Sequence, residues 1–475
     1  MRPSQQRALP FMNEHRPTAV VLGGSLAGLL TARALAAGGA RVTVVERDAL
    51  PDGPAPRKGL PQARHVHQLW SGGARALEEL LPGAIGRLCA AGVSRVPMTT
   101  DMVALSPYGW YRRWAESAFM LPASRDLLDW VVRGLVLADG RIALVERAEA
   151  TGLTGAGGAV TGVRIRAHDS AERTLTADLV VDATGRGSRA AGWLTGLGLP
   201  AVERREVDSG LVYASRLYRA PEAARAGFPV VNIEPDPRGS GTGRGGVLMP
   251  VEDGKWIVTL FGGRGDEPPS SAEEFERYAR HGLRHPLIGE LLGGGAEPLG
   301  EVAVTRTTAN RRHFFERMPV WPENFVVVGD AVCALNPVYG HGMAVAARSA
   351  LALRDVVRRQ GLGGRGLARE AQKAVGRTVR AAWDLAVGAD VFYAGATEEG
   401  PTLRDRVLAA YVGRLLRTAT GNGRVARRVT DVTALQRGAE ALLAPSVVVA
   451  AVAGPLKPAL AAPPLTSQER RSAGL

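Results

Sequence analysis

A short glycine-containing segment near the N-terminus has the spacing of a dinucleotide-binding turn. Residues 20–30 read VVLGGSLAGLL, which places Gly23 and Gly28 at the first and third glycines of G-x-G-x-x-G and Ser25 at the second. In this fingerprint the backbone approaches a pyrophosphate that lies at the N-terminus of the next helix. Serine adds only a small side chain, which can point away or hydrogen-bond a phosphate oxygen. The turn predicts a dinucleotide site without distinguishing NAD from FAD.

The elements around this turn favour a bound ligand over a turn that only packs. Residues 18–22 are typical of a buried parallel strand, residues 26–39 are rich in helix formers, and a second strand ends at Glu46. An acid about twenty residues beyond the turn can bind ribose hydroxyls. The full strand–turn–helix–strand pattern is more specific than its glycines alone. The cofactor contacts predicted here are Gly23, Gly24, Ser25, Leu26, Ala27, Gly28, Glu46 and Arg47.

A second segment, residues 325–357, combines a strand end, an acid and a glycine loop. The run FVVV ends at Gly329-Asp330, and a loop of proline and glycines then leads into an alanine-rich helix. An acid at a strand end can bind a sugar hydroxyl, and a helix N-terminus offers free N–H groups to an anion or a polarised carbonyl. The contacts predicted here are Asp330, Pro337, Gly340, Gly342 and Met343.

Several other polar residues are candidates with two interpretations. Arg125 lies in the first turn of a helix that we expect to begin after Ser124, where it is either a solvated side chain or a fork for a phosphate. His65 and His67 lie in a long stretch rich in proline and glycine, but no further ligand set accompanies them. We therefore expect hydrogen-bonded histidines and predict no metal site.

Composition limits the class of protein. With 475 residues, 45% hydrophobic and 22% charged, the chain is typical of a globular protein of two to three domains. It contains neither an apolar run long enough to span a membrane nor a signal-peptide core, and two cysteines fit a reducing cytoplasm. The net charge of +13 comes from basic residues scattered among acids, so we expect no nucleic-acid partner.

Taken in order, the motifs resemble those of the flavoprotein monooxygenases of the p-hydroxybenzoate hydroxylase and squalene epoxidase type. The glycine turn is followed by a middle motif, Asp182-Ala183-Thr184-Gly185, and then by G-D-A-x-x-x-x-N-P-x-x-G-x-G-M from Gly329. The resemblance implies that FAD is the cofactor, that Asp330 binds its ribityl chain, and that the glycine loop faces the flavin ring. It also makes Arg125 an FAD-binding arginine, Asp182 a site residue, and Ser25 a tolerated variant.

Within this family, four stretches are similar to the bacterial epoxidases of polyether-antibiotic pathways such as those of monensin and lasalocid. They are RKGLPQARHVHQLWSGGARALEELLPG, YGW at 108–110, NPVYGHGM and WDLAVGAD. This implies epoxidation of a linear polyene polyketide by a flavin C4a-hydroperoxide formed from reduced FAD and O₂, with no catalytic side chain. Cys333 stands where many aromatic hydroxylases have histidine, and we expect it to be packed. An aromatic hydroxylase or a polyprenyl reductase of the same fold remains an alternative; the absence of W-x-W-x-I-P disfavours a halogenase.

The chain is expected to be an α/β protein with a discontinuous Rossmann-like FAD-binding domain, residues 17–200 and 301–360. A mostly antiparallel substrate sheet occupies residues 201–300, a helical region 361–460, and tails 1–16 and 461–475. Residues 442–456 predict a helix packed on the substrate domain, with peripheral membrane contact or capping of the pocket left open. A separate NAD(P)H-dependent flavin reductase is expected, because no second glycine turn is visible. Four aromatic residues predict either cavity lining or, as the better interpretation, sheet core: Tyr213, Tyr218, Trp256 and Phe261.

Overall fold

The computed structural model describes residues 16–167, 171–236 and 243–475. The strands, in chain order, are β1 (Thr18–Leu22), β2 (Arg41–Val45), β3 (Gln68–Trp70), β4 (Val96–Pro97), β5 (Met102–Ser106), β6 (Gly109–Trp110), β7 (Phe119–Pro122), β8 (Ile142–Val145), β9 (Ala148–Ala156), β10 (Ala159–Ala167), β11 (Arg173–Thr176), β12 (Leu179–Asp182), β13 (Arg204–Val207), β14 (Val212–Arg219), β15 (Val230–Ile233), β16 (Gly245–Val251), β17 (Lys255–Gly262), β18 (Glu297–Thr305), β19 (Asn310–His313), β20 (Phe325–Val327) and β21 (Cys333–Ala334). The helices are α1 (Leu26–Ala37), α2 (Ser71–Leu80), α3 (Ala84–Ala90), α4 (Arg125–Leu137), α5 (Ala190–Gly196), α6 (Ala272–Arg277), α7 (Leu287–Gly293), α8 (Gly342–Gln360), α9 (Leu367–Asp390), α10 (Leu403–Gly421), α11 (Gly423–Thr433), α12 (Pro445–Ala453) and α13 (Ser467–Ser472).

A parallel sheet forms the centre of the first layer. Its strand order is β20-β12-β1-β2-β8, and every neighbouring pair is parallel. β1 and β12 are almost wholly buried, as expected of apolar strands covered on both faces, and α1 packs between β2, α4 and α8. Because the carboxyl ends of parallel strands meet at one edge, this sheet brings the glycine turn, Glu46 and the Gly329-Asp330 segment together.

A second, mostly antiparallel sheet contains seven strands. Its order is β18-β14-β17-β16-β15-β5-β6, antiparallel except for the pair β15 and β5. A turn at 252–254 joins β16 to β17, with Val251 opposite Lys255 and Asp253 at φ +60°. The sheet takes β5 and β6 from a part of the chain that we expected in the FAD-binding domain, because β5 pairs with β15 across a long sequence separation.

One face of this second sheet is filled by core side chains. Tyr218 and Trp256 are fully buried there with Phe275 of α6, so for these two aromatic residues core is the correct interpretation. Tyr213 and Phe261 project from the opposite face and line a cavity. The alternation of the strands separates the two pairs.

The C-terminal region is helical, as expected. α9 packs on α8, whereas α10, α11 and α12 form a separate small core around Leu415, Val425 and Val447. α12 packs on those two helices, whereas we expected it to pack on the substrate domain. The expected tail instead contains α13, which is held by Glu469 to Arg113 at 2.8 and 2.9 Å.

The predicted fold class, α/β with an FAD-type parallel sheet, a mostly antiparallel second sheet and a helical C-terminal region, is confirmed. Within the described ranges, no helix is both long enough and apolar enough to cross a membrane.

Candidate cofactor and substrate site

The turn between β1 and α1 is closed by contacts that exclude side chains. Gly23 has φ +101°, and a Cβ atom there would lie 2.6 Å from the Ala183 carbonyl oxygen. A Cβ atom on Gly28 would lie 1.8 Å from the Gly23 carbonyl oxygen, so α1 packs directly against the turn. At the middle position, the Ser25 hydroxyl accepts a hydrogen bond from Arg125 Nη2 at 2.7 Å. The serine therefore joins the turn to α4.

A buried cluster of charges surrounds this turn. Glu46 Oε2 accepts a hydrogen bond from the Gly24 amide at 2.7 Å and lies 3.2 Å from Arg57 Nη1. Asp129 bridges the two arginines, 3.1 Å from Arg57 Nη2 and 3.3 Å from Arg125 Nη2. Both arginines line the cavity beside the turn. Arginine N–H groups in that position fit the phosphate or ribose part of a dinucleotide.

Sequence reasoning missed Arg57. It lies in the RKGLPQ stretch that carried the family resemblance, and it lines the same cavity as Arg125. A basic residue between prolines and glycines gives no sign of its partners, so only the tertiary contact with Glu46 reveals it.

Asp330 lies at the end of the parallel sheet, where its carboxyl group faces the cavity. Burial raises its pKa, against the opposing effect of Arg186, Arg125 and Arg311. In the described part of the chain the carboxyl group makes no hydrogen bond. Sugar or ribityl hydroxyl groups would supply the donors that this acceptor lacks.

The glycine loop before α8 is held from several sides. Trp70 Nε1 donates to the Tyr339 carbonyl oxygen at 3.0 Å. Gly340 has φ +62° and packs on Gln68, so a Cβ atom added at Gly340 would lie 2.1 Å from Gln68 Nε2. Gly342 and Met343 begin α8 and line the cavity. The helix N-terminus with its free N–H groups therefore borders the cavity.

Asp390, at the end of α9, fixes this loop through hydrogen bonds. Its carboxyl group accepts hydrogen bonds from Asn310 Nδ2 at 2.6 Å, Asn336 Nδ2 at 2.8 Å and the Tyr339 hydroxyl at 2.5 Å. The Tyr213 hydroxyl donates to Asn336 Oδ1 and accepts from the Val338 amide at 3.0 Å. Asp390 is the last residue of the WDLAVGAD motif, and the structure explains that motif as a support for the loop.

Three predicted residues do not line the cavity. Gly24 and Gly28 shape the turn through their backbones. The Asp182 side chain is fully buried and accepts from the Thr184 amide at 2.8 Å and from the Ser188 hydroxyl at 2.6 Å. Asp182 therefore positions residues 183–187, which do line the cavity. The other predicted contacts all border it: Gly23, Ser25, Leu26, Ala27, Glu46, Arg47, Arg125, Asp330, Pro337, Gly340, Gly342 and Met343.

The two histidines and Cys333 are packed groups. His65 Nδ1 lies 2.7 Å from the Ser215 hydroxyl, and His67 Nδ1 lies 2.9 Å from the His65 carbonyl oxygen. Burial lowers the pKa of His65 to about 4 and that of His67 to about 3, so both are neutral near pH 7. Burial raises the pKa of the Cys333 thiol, which makes it unreactive.

One large cavity joins the parallel sheet to the second sheet and to the C-terminal helices. Its volume is about 1330 Å³, including the space beside the glycine turn. Beyond the loop before α8, its walls are mainly apolar. They include Met102, Val247, Met249 and Phe261 from the second sheet, and Leu408, Tyr411, Val429 and Leu442 from the C-terminal region.

Comparison with known proteins agrees with this geometry. The family model for FAD dependent oxidoreductases matches residues 19–198. Protein Rv3254 of Mycobacterium tuberculosis (strain ATCC 25618 / H37Rv) is 33% identical over 393 residues, which cover 80% of this chain and 81% of that protein.

Solved structures share the fold at low sequence identity. A triple mutant of the flavin-dependent brominase Bmp2 has a TM-score of 0.64 at 14% identity, covering 91% of this chain and 98% of that one. A variant of Klebsiella pneumoniae HpxO complexed with FAD has a TM-score of 0.59 at 16% identity, covering 89% and 99%.

The parallel sheet, the glycine turn and the acid at the end of β20 define a dinucleotide-binding oxidoreductase. The chain belongs to the FAD-dependent oxidoreductase family, and its cofactor is FAD.

Proposed function

We propose that this enzyme is a monooxygenase that inserts one atom of O₂ into the alkenes of a linear, apolar polyene. The observation that carries the proposal is the continuous cavity, whose apolar part extends from the loop before α8 along the second sheet to the C-terminal helices. A mainly apolar space of this volume, lined from the loop before α8 to the C-terminal helices, has room for an extended hydrocarbon chain as well as the cofactor. The resemblance of four sequence stretches to polyether-pathway epoxidases supports the same substrate class.

FAD would be held at the edge of the parallel sheet. Residues 23–27 and Glu46 would hold the adenosine part, Arg57 and Arg125 the pyrophosphate region, and Asp330 the ribityl hydroxyls. The N-terminus of α8 would face the ring system, where N–H groups stabilise negative charge. When bound, FAD supplies the activation of O₂.

The protein then has to orient the alkene and exclude water. Phe261 and Met249 provide apolar walls, and His67, which lines the same cavity, is neutral and adds no charge to it. The hydrogen bonds of Tyr213 and Asp390 keep the loop before α8 in one conformation. No side chain is required to attack the substrate, so no catalytic nucleophile is assigned.

Electrons would come from a separate NAD(P)H-dependent flavin reductase. The parallel sheet has one glycine turn, and Asp182 is occupied with its own turn. In a stopped-flow experiment, NADPH alone should not reduce the bound flavin rapidly, whereas a reductase or free reduced flavin should support turnover. Rapid stoichiometric reduction by NADPH would contradict this proposal.

Product analysis tests the reaction itself. The enzyme is incubated with reduced FAD, oxygen-18 gas and farnesol, and products are examined by mass spectrometry. Epoxides that carry one heavy oxygen atom per alkene are expected. Ring hydroxylation of an added phenol would indicate an aromatic hydroxylase, and saturation of the triene without oxygen uptake would indicate a polyprenyl reductase. Incorporation of halide would indicate a halogenase. Each of these results would replace the epoxidase proposal.

We further propose that the enzyme contacts a membrane surface where the cavity opens. Leu408 and Leu443 both line the cavity and are exposed to solvent, by 51% and 64%. Other exposed apolar residues of the same region are Leu403, Val407, Val449, Val452 and Leu456. Exposed arginines such as Arg404 and Arg406 accompany them on α10 and would attract anionic lipid. A substrate dissolved in lipid could then enter without crossing water.

A further inference from the structure

Two polar side chains face the apolar cavity from β15 and the residue after it. The strand alternates: Val231 and Ile233 belong to the core on the far side of the sheet, whereas Asn232 and Glu234 line the cavity. No side-chain hydrogen bond or ion pair of either residue is found in ranges 16–167, 171–236 and 243–475. Both residues are half-buried, and a polar side chain that faces a mainly apolar cavity without a protein partner is unfavourable unless a ligand or water supplies one.

The nearest arginine does not neutralise the Glu234 carboxyl group. The Arg284 guanidinium instead binds main-chain carbonyl oxygens, that of Glu234 at 2.6 Å and those of Leu105 and Ser106 at 3.4 Å. The Glu234 amide donates to the Leu105 carbonyl oxygen at 2.9 Å. These contacts fix the backbone at the end of β15, while the carboxyl group remains directed at the cavity.

Burial affects the protonation of this carboxyl group. It raises the pKa of Glu234 to about 7, and the Arg284 guanidinium opposes part of that rise. Near neutral pH a large fraction of Glu234 is therefore the neutral acid, which can donate a hydrogen bond as well as accept one.

The register of the sheet gives the distance from Glu234 to the loop before α8. Tyr213 pairs with Phe261, and Phe261 pairs with Gly245. One residue past the pair Ile233–Gly246, Glu234 stands opposite Gly245. The row of paired residues from Tyr213 through Phe261 and Gly245 to Glu234 crosses three strand spacings, which is about 14 Å.

The middle of this row is apolar. The Phe261 ring covers Gly245, where a Cβ atom would lie 2.3 Å from it. One end, Tyr213, contacts the loop that borders the flavin position, and the other end is the acid. The distance between them is comparable to the length of an extended farnesyl chain.

We propose that Glu234, with Asn232 beside it, binds a neutral oxygen group, a hydroxyl or a carbonyl, at the end of the apolar substrate and thereby sets which alkene lies at the flavin. This inference rests on the proposed function for its substrate class. Glu234 is a positioning residue in this role. A substrate ending in a carboxylate is disfavoured, because its charge would lie beside an acid in an enclosed site.

Binding of three probes to the oxidised holoenzyme tests the inference without any turnover. Farnesol, the hydrocarbon farnesene and farnesoic acid are titrated while the flavin absorbance is followed, with the wild type, Glu234→Gln and Glu234→Leu. Glutamine keeps a neutral donor and acceptor, whereas leucine has neither. Flavin content and circular dichroism establish that each variant is folded and loaded.

Each Glu234 variant is expected to change the affinity for the three probes differently. Glu234→Leu should weaken farnesol binding about tenfold, the upper range for one hydrogen bond, and leave farnesene unchanged or tighter. Glu234→Gln should retain farnesol affinity within about threefold at pH 7 and strengthen farnesoic acid binding. A structural effect would weaken all three probes together and would not improve the acid.

Three results would overturn the inference: equal effects of Glu234→Leu on farnesol and farnesene, no gain for farnesoic acid in Glu234→Gln, or no flavin response to any probe in the wild type. If the probes bind as expected but no epoxide forms with reduced FAD and O₂, the proposed function fails while the role of Glu234 stands. In a competent enzyme, Glu234→Leu should also spread epoxidation over more alkenes of farnesol.

Discussion

At the scale of single residues, Asp330 gives the most direct test of the cofactor site. Its carboxyl group faces the cavity without a hydrogen bond from the described residues, so its removal should leave the fold intact and remove a partner of the ribityl hydroxyls. Asp330→Ala should lose FAD at least tenfold more readily during dialysis, measured as flavin absorbance per protein. Asp52→Ala, an exposed aspartate, is the matched control. Equal flavin retention in Asp330→Ala and this control would refute the role of Asp330.

A buried histidine near the same loop predicts a dependence of stability on pH. Burial lowers the pKa of His341 to about 4, and its Nε2 lies 2.8 Å from the Thr433 carbonyl oxygen. Because the unfolded chain takes up this proton near pH 6.5 and the folded chain does not, the free energy of unfolding falls as the pH drops from 6.5 towards 4. The effect of this one group reaches about 3 kcal/mol at the acid limit.

Denaturant unfolding at pH 7.5, 6 and 5 measures this effect. His341→Gln should flatten the decline relative to the wild type, whereas His281→Gln, at an exposed position, should leave its slope as it is. Parallel slopes for His341→Gln and the wild type would show that His341 does not contribute.

The residues that could be predicted from the sequence are those with a local reason for their type. Gly23, Gly28 and Asp330 stand at strand ends and turns, where spacing alone limits what fits. Arg57 and Asp390 could not be predicted, because their partners Asp129 and Asn336 lie far from them along the chain.

At the scale of elements, the close contact between α1 and the glycine turn predicts the effect of adding one methyl group at Gly28. In Gly28→Ala the new atom would lie 1.8 Å from the Gly23 carbonyl oxygen, so α1 must move away from the turn. We expect a loss of several kcal/mol in the free energy of unfolding, together with loss of FAD. Gly192→Ala in α5 is the matched control, because open space surrounds that glycine and alanine favours the helix by about 1 kcal/mol. Denaturant unfolding should separate the two variants; similar curves would contradict a close-packed turn.

Elements set by local pattern were predicted correctly, and those set by distant pairing were not. The strands and helix around the glycine turn and the helix after Ser124 follow from periodicity and turn residues. β5 joined the second sheet through β15, and α13 docked through Glu469, because contacts between remote segments decide both.

At the scale of the whole molecule, the sheets and the C-terminal helices together determine where the cavity opens. α10 and α12 are joined by hydrogen bonds from Arg414 to the carbonyl oxygens of Ala451 and Val452, at 2.6 and 2.7 Å. This contact holds together two helices that both carry exposed large apolar side chains, and Leu408 of α10 also lines the cavity. If these side chains form one patch, such a surface is typical of an interaction site and not of a surface that only meets water.

Vesicle binding tests the proposed membrane contact. The wild type should sediment with vesicles of phosphatidylglycerol and phosphatidylcholine, and added salt should weaken this binding because arginines meet the anionic headgroups. The triple variant Leu403→Ser, Val407→Ser and Val452→Ser removes three side chains that are 78%, 63% and 73% exposed. It should weaken vesicle binding at least tenfold and leave flavin content unchanged, since none of the three lines the cavity.

Val320→Ser, which is 51% exposed outside the C-terminal helices, is the matched control. Absence of vesicle binding by the wild type, or equal binding by the triple variant and the control, would rule out membrane docking through these helices.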